Sequence, residues 1–515
     1  MILFTLRWGA ECGANPTTST ISLNTVQPMK LSIASSSKRT INRRAIILAS
    51  SIASLFATEK AAAASATWTG ATNALWALDS NWSAPFPVLG ETATFDNAGN
   101  GNVIIDLGAG VTVGNITFDS AAVAAYTLGG GAVGSQSLTL GNAGTISLTS
   151  TVAANQLVNA ALTLGDDGTA QTFTLANAST TNSLTVAGGI TGSTGSGVKT
   201  LSLTGAGATS LSGPISNGAG GSVAISQTGT GALNLSNTTS TFSGGVTIGA
   251  AAGVVTATTF NGTNATGLGS GAVSIGAGST VNLLSTNTVL TATTINNLFT
   301  GTGLLKLTFT GTTATNTLMN GLAGFGGTLQ LSNTGTNGDK LNTNANMGNI
   351  AASLVIDSGS SLFVSGNSTT NFAGGITLSG VGNSENRGVI RLGAGVLGGN
   401  ISLGGSSTIG LEGGYLTGGI SASVASTLTF GGVSTGNGTL SGVLADGAGQ
   451  FSLTKSSTGA LWLTGANTYT GATTIASGRL QLGLGGTTGS LNPASAITVT
   501  GGSSSLTFNR SNAMA

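Results

Sequence analysis

Several residue types that build ordinary active sites are scarce or missing in this sequence. The 515 residues include no histidine, one cysteine (Cys12) and only 6% charged residues. Without an imidazole the chain cannot use histidine as a nucleophile's base, an acid or a metal ligand, which removes most hydrolase mechanisms. Cys12 lies near the N-terminus, so the body of the chain carries no thiol and no disulfide. The sequence predicts no catalytic, cofactor or metal site.

Basic residues are also missing from most of the chain. Seven of them precede residue 67, and downstream there are 8 basic and 12 acidic residues, a net charge of 8 − 12 = −4. Proteins that bind nucleic acid contact its phosphates with clustered Lys and Arg. This distribution excludes nucleic acid as a partner.

What the chain has in abundance is glycine, at 85 of 515 residues, together with 40% hydrophobic residues and a mean hydropathy of +0.34. Disordered chains have low hydrophobicity and high net charge, so this composition favours an ordered structure. The apolar residues are scattered among Thr, Ser, Asn and Gly, without a run long enough to span a membrane.

One segment near the N-terminus is typical of an export signal. The basic residues Lys38, Arg39, Arg43 and Arg44 precede an apolar run over 45–56 and the small residues at 64–66. This is the order of a secretory signal, and the apolar run is too short to cross a bilayer as a helix. We expect residues 1–66 to be an N-terminal extension and signal peptide; a twin-arginine signal is the alternative.

The body of the chain is built from short alternating triplets of an apolar, a hydroxyl and an apolar residue. Alternation places both apolar side chains on one face of a strand, and the Gly, Asn and Ser between triplets permit tight turns. Strands of three residues need neighbours, and stacked coils provide them on both sides. The triplets begin at Leu138, Ile146, Leu162, Phe173, Leu184 and Leu201.

The sequence therefore predicts an all-β protein, a right-handed parallel β-helix over residues 136–515 that follows a cap region over 67–135. With coils of about 20 to 25 residues, we expect roughly 18 to 22 coils and a rod of about 90 to 105 Å. Rows of Thr, Ser and Asn are expected to stack along its outside. An antiparallel β-prism or sandwich array is the alternative.

The segment 459–483, which reads GALWLTGANTYTGATTIASGRLQLG, resembles the autotransporter-associated β-strand repeat, also called the passenger-associated transport repeat. Weaker copies lie at 231–248 and 371–378. The resemblance implies a secreted or cell-surface passenger protein that passes the outer-membrane translocation machinery. Alternating segments typical of the membrane barrel that ends such proteins do not follow before Ala515. Either the sequence is truncated at its C-terminus or export uses another route.

Three tryptophans near the start of the body, Trp68, Trp76 and Trp82, have two interpretations. They can pack as a cap that closes the end of the β-helix, which we favour, or form an open platform for carbohydrate.

Charged motifs that could support chemistry are few. Asp166-Asp167 is the only adjacent acidic pair, and Glu385 with Arg387 and Arg391 is the only mixed cluster; we interpret them as a solvated turn and a loop ion pair. The segment 96–102 resembles a calcium loop only loosely, since its third position is Ala and no closing Glu follows.

Two functions remain open at this point. The first is a non-catalytic, adhesin-like surface protein that makes weak multivalent contacts with glycans or neighbouring cell surfaces. The second is a β-helix lyase or glycosidase acting on extracellular polysaccharide through paired carboxylates. The low charge favours the first.

Overall fold

The computed structural model describes residues 65–165, 168–259, 266–286, 292–311, 316–336, 338–343 and 347–512. Residues 1–64 of the predicted N-terminal extension and signal peptide, and the Asp166-Asp167 pair, lie outside these residues. Across the described ranges the protein contains strands and three short 3-10 helices, Asp79–Asn81, Gly99–Gly101 and Thr266–Leu268, and no α-helix. The predicted all-β class is confirmed.

The first fifteen strands run to residue 227. They are β1 Ala66–Thr67, β2 Thr92–Phe95, β3 Ile104–Ile105, β4 Val111–Phe118, β5 Thr127–Leu128, β6 Ser137–Leu148, β7 Gln156–Val158, β8 Ala161–Leu164, β9 Gln171–Asn177, β10 Leu184–Val186, β11 Ile190–Gly192, β12 Lys199–Thr204, β13 Thr209–Leu211, β14 Ile215–Ser216 and β15 Val223–Gln227.

The next fifteen strands reach residue 372. They are β16 Leu233–Leu235, β17 Val246–Ile248, β18 Val255–Thr259, β19 Val273–Ile275, β20 Thr280–Ser285, β21 Thr293–Ile295, β22 Phe299–Gly301, β23 Leu304–Phe309, β24 Asn316–Met319, β25 Thr328–Asn333, β26 Lys340–Asn342, β27 Gly348–Ile350, β28 Ser353–Ile356, β29 Leu362–Val364 and β30 Thr369–Phe372.

The remaining strands end at residue 508. They are β31 Ile376–Gly380, β32 Ile390–Leu392, β33 Val396–Gly398, β34 Ile401–Leu411, β35 Tyr415–Leu416, β36 Ile420–Ala422, β37 Ser426–Phe430, β38 Gly438–Leu440, β39 Leu444–Ala445, β40 Phe451–Lys455, β41 Ala460–Leu463, β42 Thr473–Ile475, β43 Arg479–Leu482, β44 Ile497–Val499 and β45 Ser505–Phe508.

These strands stack in parallel, each on the equivalent strand of the next coil. One sheet has 13 strands and begins with β1, β2, β4 and β6; a branched second sheet runs from β3 to β44; a third has 8 strands from β27 to β45. A complete coil contributes three strands, and each pairs with the equivalent strand of the next coil. For example, β36, β37 and β38 pair with β39, β40 and β41, respectively. The predicted parallel β-helix is confirmed, with about 18 turns.

The coil length varies along the stack. Paired residues are 19 positions apart between Ile401 and Ile420 and 30 apart between Thr127 and Leu157. The variation falls in the turns at the corners, because the paired strands must keep their spacing of about 4.8 Å. Eighteen coils at that spacing give a rod of about 80 to 85 Å, slightly shorter than the sequence predicted.

The predicted triplets supply the interior. Leu138 and Leu140 alternate with a half-buried Thr139, and both leucines are fully buried. Inward residues of successive coils lie on one another, and each excludes water from the next, so the core is one apolar column. One such file contains Phe173, Leu201, Ile225, Val246, Val273 and Phe299.

Outward positions carry the predicted polar rows. The hydroxyl row, as we call the longest one on the 13-stranded sheet, continues through nine coils in unbroken register. Its members are Thr92, Asn115, Thr145, Thr174, Ser202, Ser226, Thr247, Ser274 and Thr300. A second row beside it shows side-chain pairing between coils, since Ser147 Oγ donates to Thr117 Oγ1 over 3.1 Å.

The N-terminal end of the 13-stranded sheet is covered by its own chain. Trp68 pairs in antiparallel fashion with Trp82, and Thr69 N–H donates to the Asn81 carbonyl over 2.8 Å. An exposed edge strand is a template for aggregation, so this return segment protects the edge. Parallel coils already occur within the region 67–135, from β1 to β5.

No helix of the described residues is long and apolar enough to cross a membrane.

Lys455 is an unusual inward residue because its side chain is fully buried. Its Nζ donates to the Ser457 carbonyl, to Ser457 Oγ over 2.8 Å and to the Ser477 carbonyl over 3.2 Å. Burial lowers the pKa of Lys455 from 10.5 to about 8. Between pH 8 and 10.5, Lys455 is therefore mostly deprotonated in the folded chain but still protonated in the unfolded chain.

We expect the stability of the protein to rise with pH between 8 and 10, by up to about 1.4 kcal/mol per pH unit for this one proton. Below pH 8 both states hold the proton and the slope is absent. Denaturant midpoints at pH 7, 8, 9 and 10 measure the effect. In Lys455→Met the slope should vanish, whereas Lys306→Met, which changes an outward lysine of β23, should retain it. An unchanged slope in Lys455→Met would assign the proton to another group.

Candidate functional site

The most specific motif of the sequence, 459–483, spans one complete coil and the first strand of the next, since β43 stacks on β41. Strand β41 is followed by a corner at Asn467, the buried ring of Tyr469 and strands β42 and β43. Tyr469 hydroxyl bonds to Thr473 Oγ1 over 2.6 Å, and its ring lies 5.2 Å from that of Phe451. Burial raises the pKa of Tyr469, so the hydroxyl stays neutral.

Asn467 links this coil to both of its neighbours. Its side-chain oxygen accepts from Leu444 N–H of the preceding coil over 2.9 Å, and its amide donates to the Ser490 carbonyl of the following coil over 2.8 Å. These backbone groups belong to a corner where the strand ladder is interrupted. Leu444 N–H depends on this buried side chain for its partner, whereas the Ser490 carbonyl also accepts from the backbone N–H of Asn467 over 3.0 Å.

The weaker copy at 231–248 repeats this arrangement. Ser240 Oγ accepts from Ile215 N–H of the preceding coil over 3.1 Å, as Asn467 does from Leu444. Thr241 and Phe242 donate to the Ile215 carbonyl, as Thr468 and Tyr469 donate to that of Leu444. Two segments more than 200 residues apart therefore build the same corner.

A glycine is required after the aromatic residue in both copies. Gly471 N–H donates to the Phe451 carbonyl, and a Cβ on Gly471 would lie 2.2 Å from that oxygen. Gly244 has the same relation to Val223, at 2.5 Å. Glycine is needed at both positions because the backbones of two coils approach too closely to leave room for a Cβ atom.

The third copy, at 371–378, retains less of this corner. Phe372 is fully buried, but two residues before it, where the other copies have Asn467 and Ser240, lies Thr370, whose buried Oγ1 makes no hydrogen bond with the residues that the structure describes. The inward polar link of the other two copies is therefore missing at this corner, although Ala373 N–H donates to the Ile350 carbonyl of the preceding coil.

The tryptophans near the start of the body do not form an open platform. Trp68, Trp76 and Trp82 are buried, with ring centroids 5.0 Å apart for Trp68 and Trp82 and 4.8 Å for Trp76 and Trp82. Their indole N–H groups donate to backbone carbonyls of Asn102, Pro87 and Trp76. The carbohydrate-platform interpretation of these three rings is therefore wrong.

The segment 96–102 uses its amides to hold the neighbouring backbone. Asn97, Asn100 and Asn102 donate to the carbonyls of Trp68, Thr69 and Gly70, respectively. These side chains therefore organise the covered edge of the first sheet. Across the described residues no three His, Cys, Asp or Glu side chains are grouped as metal ligands would be.

The mixed charge cluster is larger than the sequence indicated. Arg391 Nε lies 2.8 Å from Glu412 Oε2, Arg387 Nη1 lies 2.7 Å from Glu412 Oε1, and Lys340 Nζ lies 2.6 Å from Glu385 Oε1. The predicted pair of Arg391 with Glu385 is the longest of the four contacts, at 3.6 Å.

Sequence reasoning missed Lys340 and Glu412 because neither is near the loop in sequence. Glu412 follows Arg391 by 21 residues and Arg387 by 25, which is one coil. A search for opposite charges at coil spacing could have found it.

The environment of Glu412 determines its charge. Burial alone would raise the pKa of Glu412, but hydrogen bonds and charges from Arg391 and Arg387 outweigh burial and hold the pKa below 4.5. Arg391 is itself fixed by stacking on Phe363, with its guanidinium 4.0 Å from the ring centre. An ionised, fully paired carboxylate cannot act as the general acid of a glycosidase.

Other carboxylates join neighbouring coils in the same way. Asp119 accepts from Thr149 Oγ1 of the next coil over 2.7 Å, and this bond lowers the pKa of Asp119. Asp446 accepts from Phe451 N–H and from Thr470 Oγ1, which lower its pKa against the effect of burial.

Replacement of Asn467 by Ala should lower the free energy of unfolding by about 2 kcal/mol, because Leu444 N–H loses its buried partner. Urea midpoints and hydrogen exchange at Leu444 measure the loss. Asn234→Ala is the matched control, since Asn234 is an exposed residue of the other copy. Equal midpoints for the two variants would show that the corner does not depend on Asn467.

Replacement of Glu412 by Gln should cost about 1 to 2 kcal/mol at pH 7, since two partly exposed arginines lose their partner. Because the folded pKa of Glu412 is lowered, its contribution is present above pH 4.5 and is lost as the pH falls below it. Thermal melting from pH 7 to 3 should therefore fall less steeply in Glu412→Gln than in the parent. Parallel profiles would contradict this assignment.

Comparison with known proteins gives results that agree with this geometry. The model of the passenger-associated transport repeat family matches residues 225–256 and 453–482, the two segments with the shared corner. The copy at 371–378 lies outside these matches. A 91-residue stretch is 48% identical to the protein named Adhesin BmaC autotransporter of Brucella suis biovar 1 (strain 1330); it covers 18% of this chain and 2% of that protein. No solved structure matches the chain.

Proposed function

This chain carries two passenger-associated transport repeats in a parallel β-solenoid, and from this premise we propose that it is an adhesin-like passenger protein displayed on or released from the cell surface. The observation that carries the proposal is the coil shared by 225–256 and 453–482. The 48% identity with a stretch of an autotransporter adhesin supports it. Export uses an autotransporter-like (type V) route and the outer-membrane translocation machinery.

The outside of the rod suits weak contacts repeated many times. The hydroxyl row presents a donor or acceptor on each of nine successive coils, and its members are exposed or half-buried. One hydroxyl contact is weak, but contacts repeated at a fixed spacing add through effective concentration. We propose glycans and neighbouring cell surfaces as partners.

A non-catalytic role is supported by where the titratable groups lie. Two shallow depressions on the outer surface are lined by Gly, Ser, Thr, Asn, Ile and Leu, without a titratable side chain. The charges that do converge, around Glu412, are paired with one another. Neither the two depressions nor the cluster around Glu412 offers an unpaired acid and base on opposite sides of a bound sugar.

Antibodies raised against the purified chain test the location. We expect them to label intact producing cells or the culture medium, and deletion of the gene should reduce attachment of those cells to surfaces. Labelling that appears only after lysis would overturn the proposal. Incubation of the chain with extracellular polysaccharides tests the non-catalytic role, which requires that no new reducing ends or unsaturated sugars form; their formation would contradict it.

A further inference from the structure

Two aromatic side chains, those of Tyr415 and Trp462, face outward on the third sheet. Trp68, Trp76 and Trp82 are buried, so Trp462 is the only described tryptophan outside the core. Tyr415 is 49% exposed, whereas Tyr126 and Tyr469 are buried. Tyr and Trp are enriched at binding interfaces, where the ring supplies apolar contact area and the polar atom stays hydrated.

These two rings lie in one row along the rod. Tyr415 pairs with Thr439, and Thr439 pairs with Trp462. The rings are therefore two strand spacings apart, about 9.6 Å. Thr439 faces outward between them but is only 8% exposed, which indicates that its large neighbours cover it. The row thus presents ring surfaces at a spacing of about two sugar units of an extended polysaccharide.

A basic side chain stands beside this row. Arg479 is exposed and pairs with Ala460, so it is the diagonal neighbour of Trp462 across adjacent strands. Its side chain makes no ion pair with any residue that the structure describes. Residues 413–512 contain three basic residues and the single acid Asp446, a net charge of 3 − 1 = +2. Glu412, just before Tyr415, is paired with two arginines.

The coil itself does not require these residues. In the other matched repeat, the position of Trp462 holds Asn234 and the position of Arg479 holds Val254. Both coils make the same corner, so the ring and the guanidinium are additions to the outside of a shared frame.

We propose that Tyr415, Trp462 and Arg479 form a binding site for an acidic polysaccharide, with uronic acid units lying along the rod axis. The two rings stack on the apolar faces of alternate pyranose units, and Arg479 forms a charge-assisted hydrogen-bond pair with a carboxylate. This inference rests on the proposed function and assigns a ligand class to it.

Polygalacturonate and its fully methyl-esterified form are the probes, because they share a backbone and differ in charge. We expect polygalacturonate to change the fluorescence of the full chain, since Trp462 is the one outward tryptophan among the described residues, and the response should weaken with salt. The ester should bind at least tenfold more weakly. Equal binding of the two forms, or no binding of either, would overturn the proposal.

The variants Trp462→Asn and Arg479→Val copy the other repeat, so we expect both to keep the fold. Each should reduce polygalacturonate affinity at least tenfold, measured by calorimetry, while Asn234→Ala should leave it unchanged. Unchanged affinity in Trp462→Asn and Arg479→Val would reject the site.

Cell attachment separates this inference from the proposed function. If the parent chain supports attachment and Trp462→Asn supports it equally on a uronate-coated surface, the site is rejected and the adhesin-like role stands. If the chain is never at the surface but binds polygalacturonate through Trp462, the proposed function fails and the site stands.

Discussion

Parallel hydrogen bonding between each coil and the next is the interaction on which the rest of this structure depends. Many strands are only two or three residues long, and such strands are stable only when neighbours on both sides pair with them. The resulting spacing of about 4.8 Å leaves little room at the corners. Gly471 and Gly244 fit there because they lack a side chain, and Asn467 fits because its amide bonds to the coils before and after it.

The scarcity of charge follows from the same constraint. An inward position in the stack has no water, so a polar group there must find its partners in the backbone of adjacent corners. Lys455 does so with carbonyls and a hydroxyl, and its burial lowers the pKa. Carboxylates such as Asp119, Asp446 and Glu412 remain at the periphery, where each accepts hydrogen bonds from another coil. The few charges therefore act as links between coils.

Inward and outward positions of one coil are under different constraints. The two matched repeats have the same buried corner but different outward residues, Trp462 and Arg479 in one and Asn234 and Val254 in the other. An outward substitution leaves the apolar column and the strand ladder intact. Such a frame can acquire binding residues at almost no cost to folding, which suits a protein whose role lies on its surface.

The sequence by itself determined the fold class, because alternation of apolar and hydroxyl residues is a local property that separates the two faces of each strand. It also located the most regular coil, since the motif at 459–483 contains the strands, the aromatic ring and the glycine in one continuous segment. Only the tertiary structure decided which coil lies on which, because turns of different length make the pairing offset vary from 19 to 30 residues. For that reason the partners of Arg391 and the row shared by Tyr415 and Trp462 could not be read from the chain. Each depends on residues brought together from different coils.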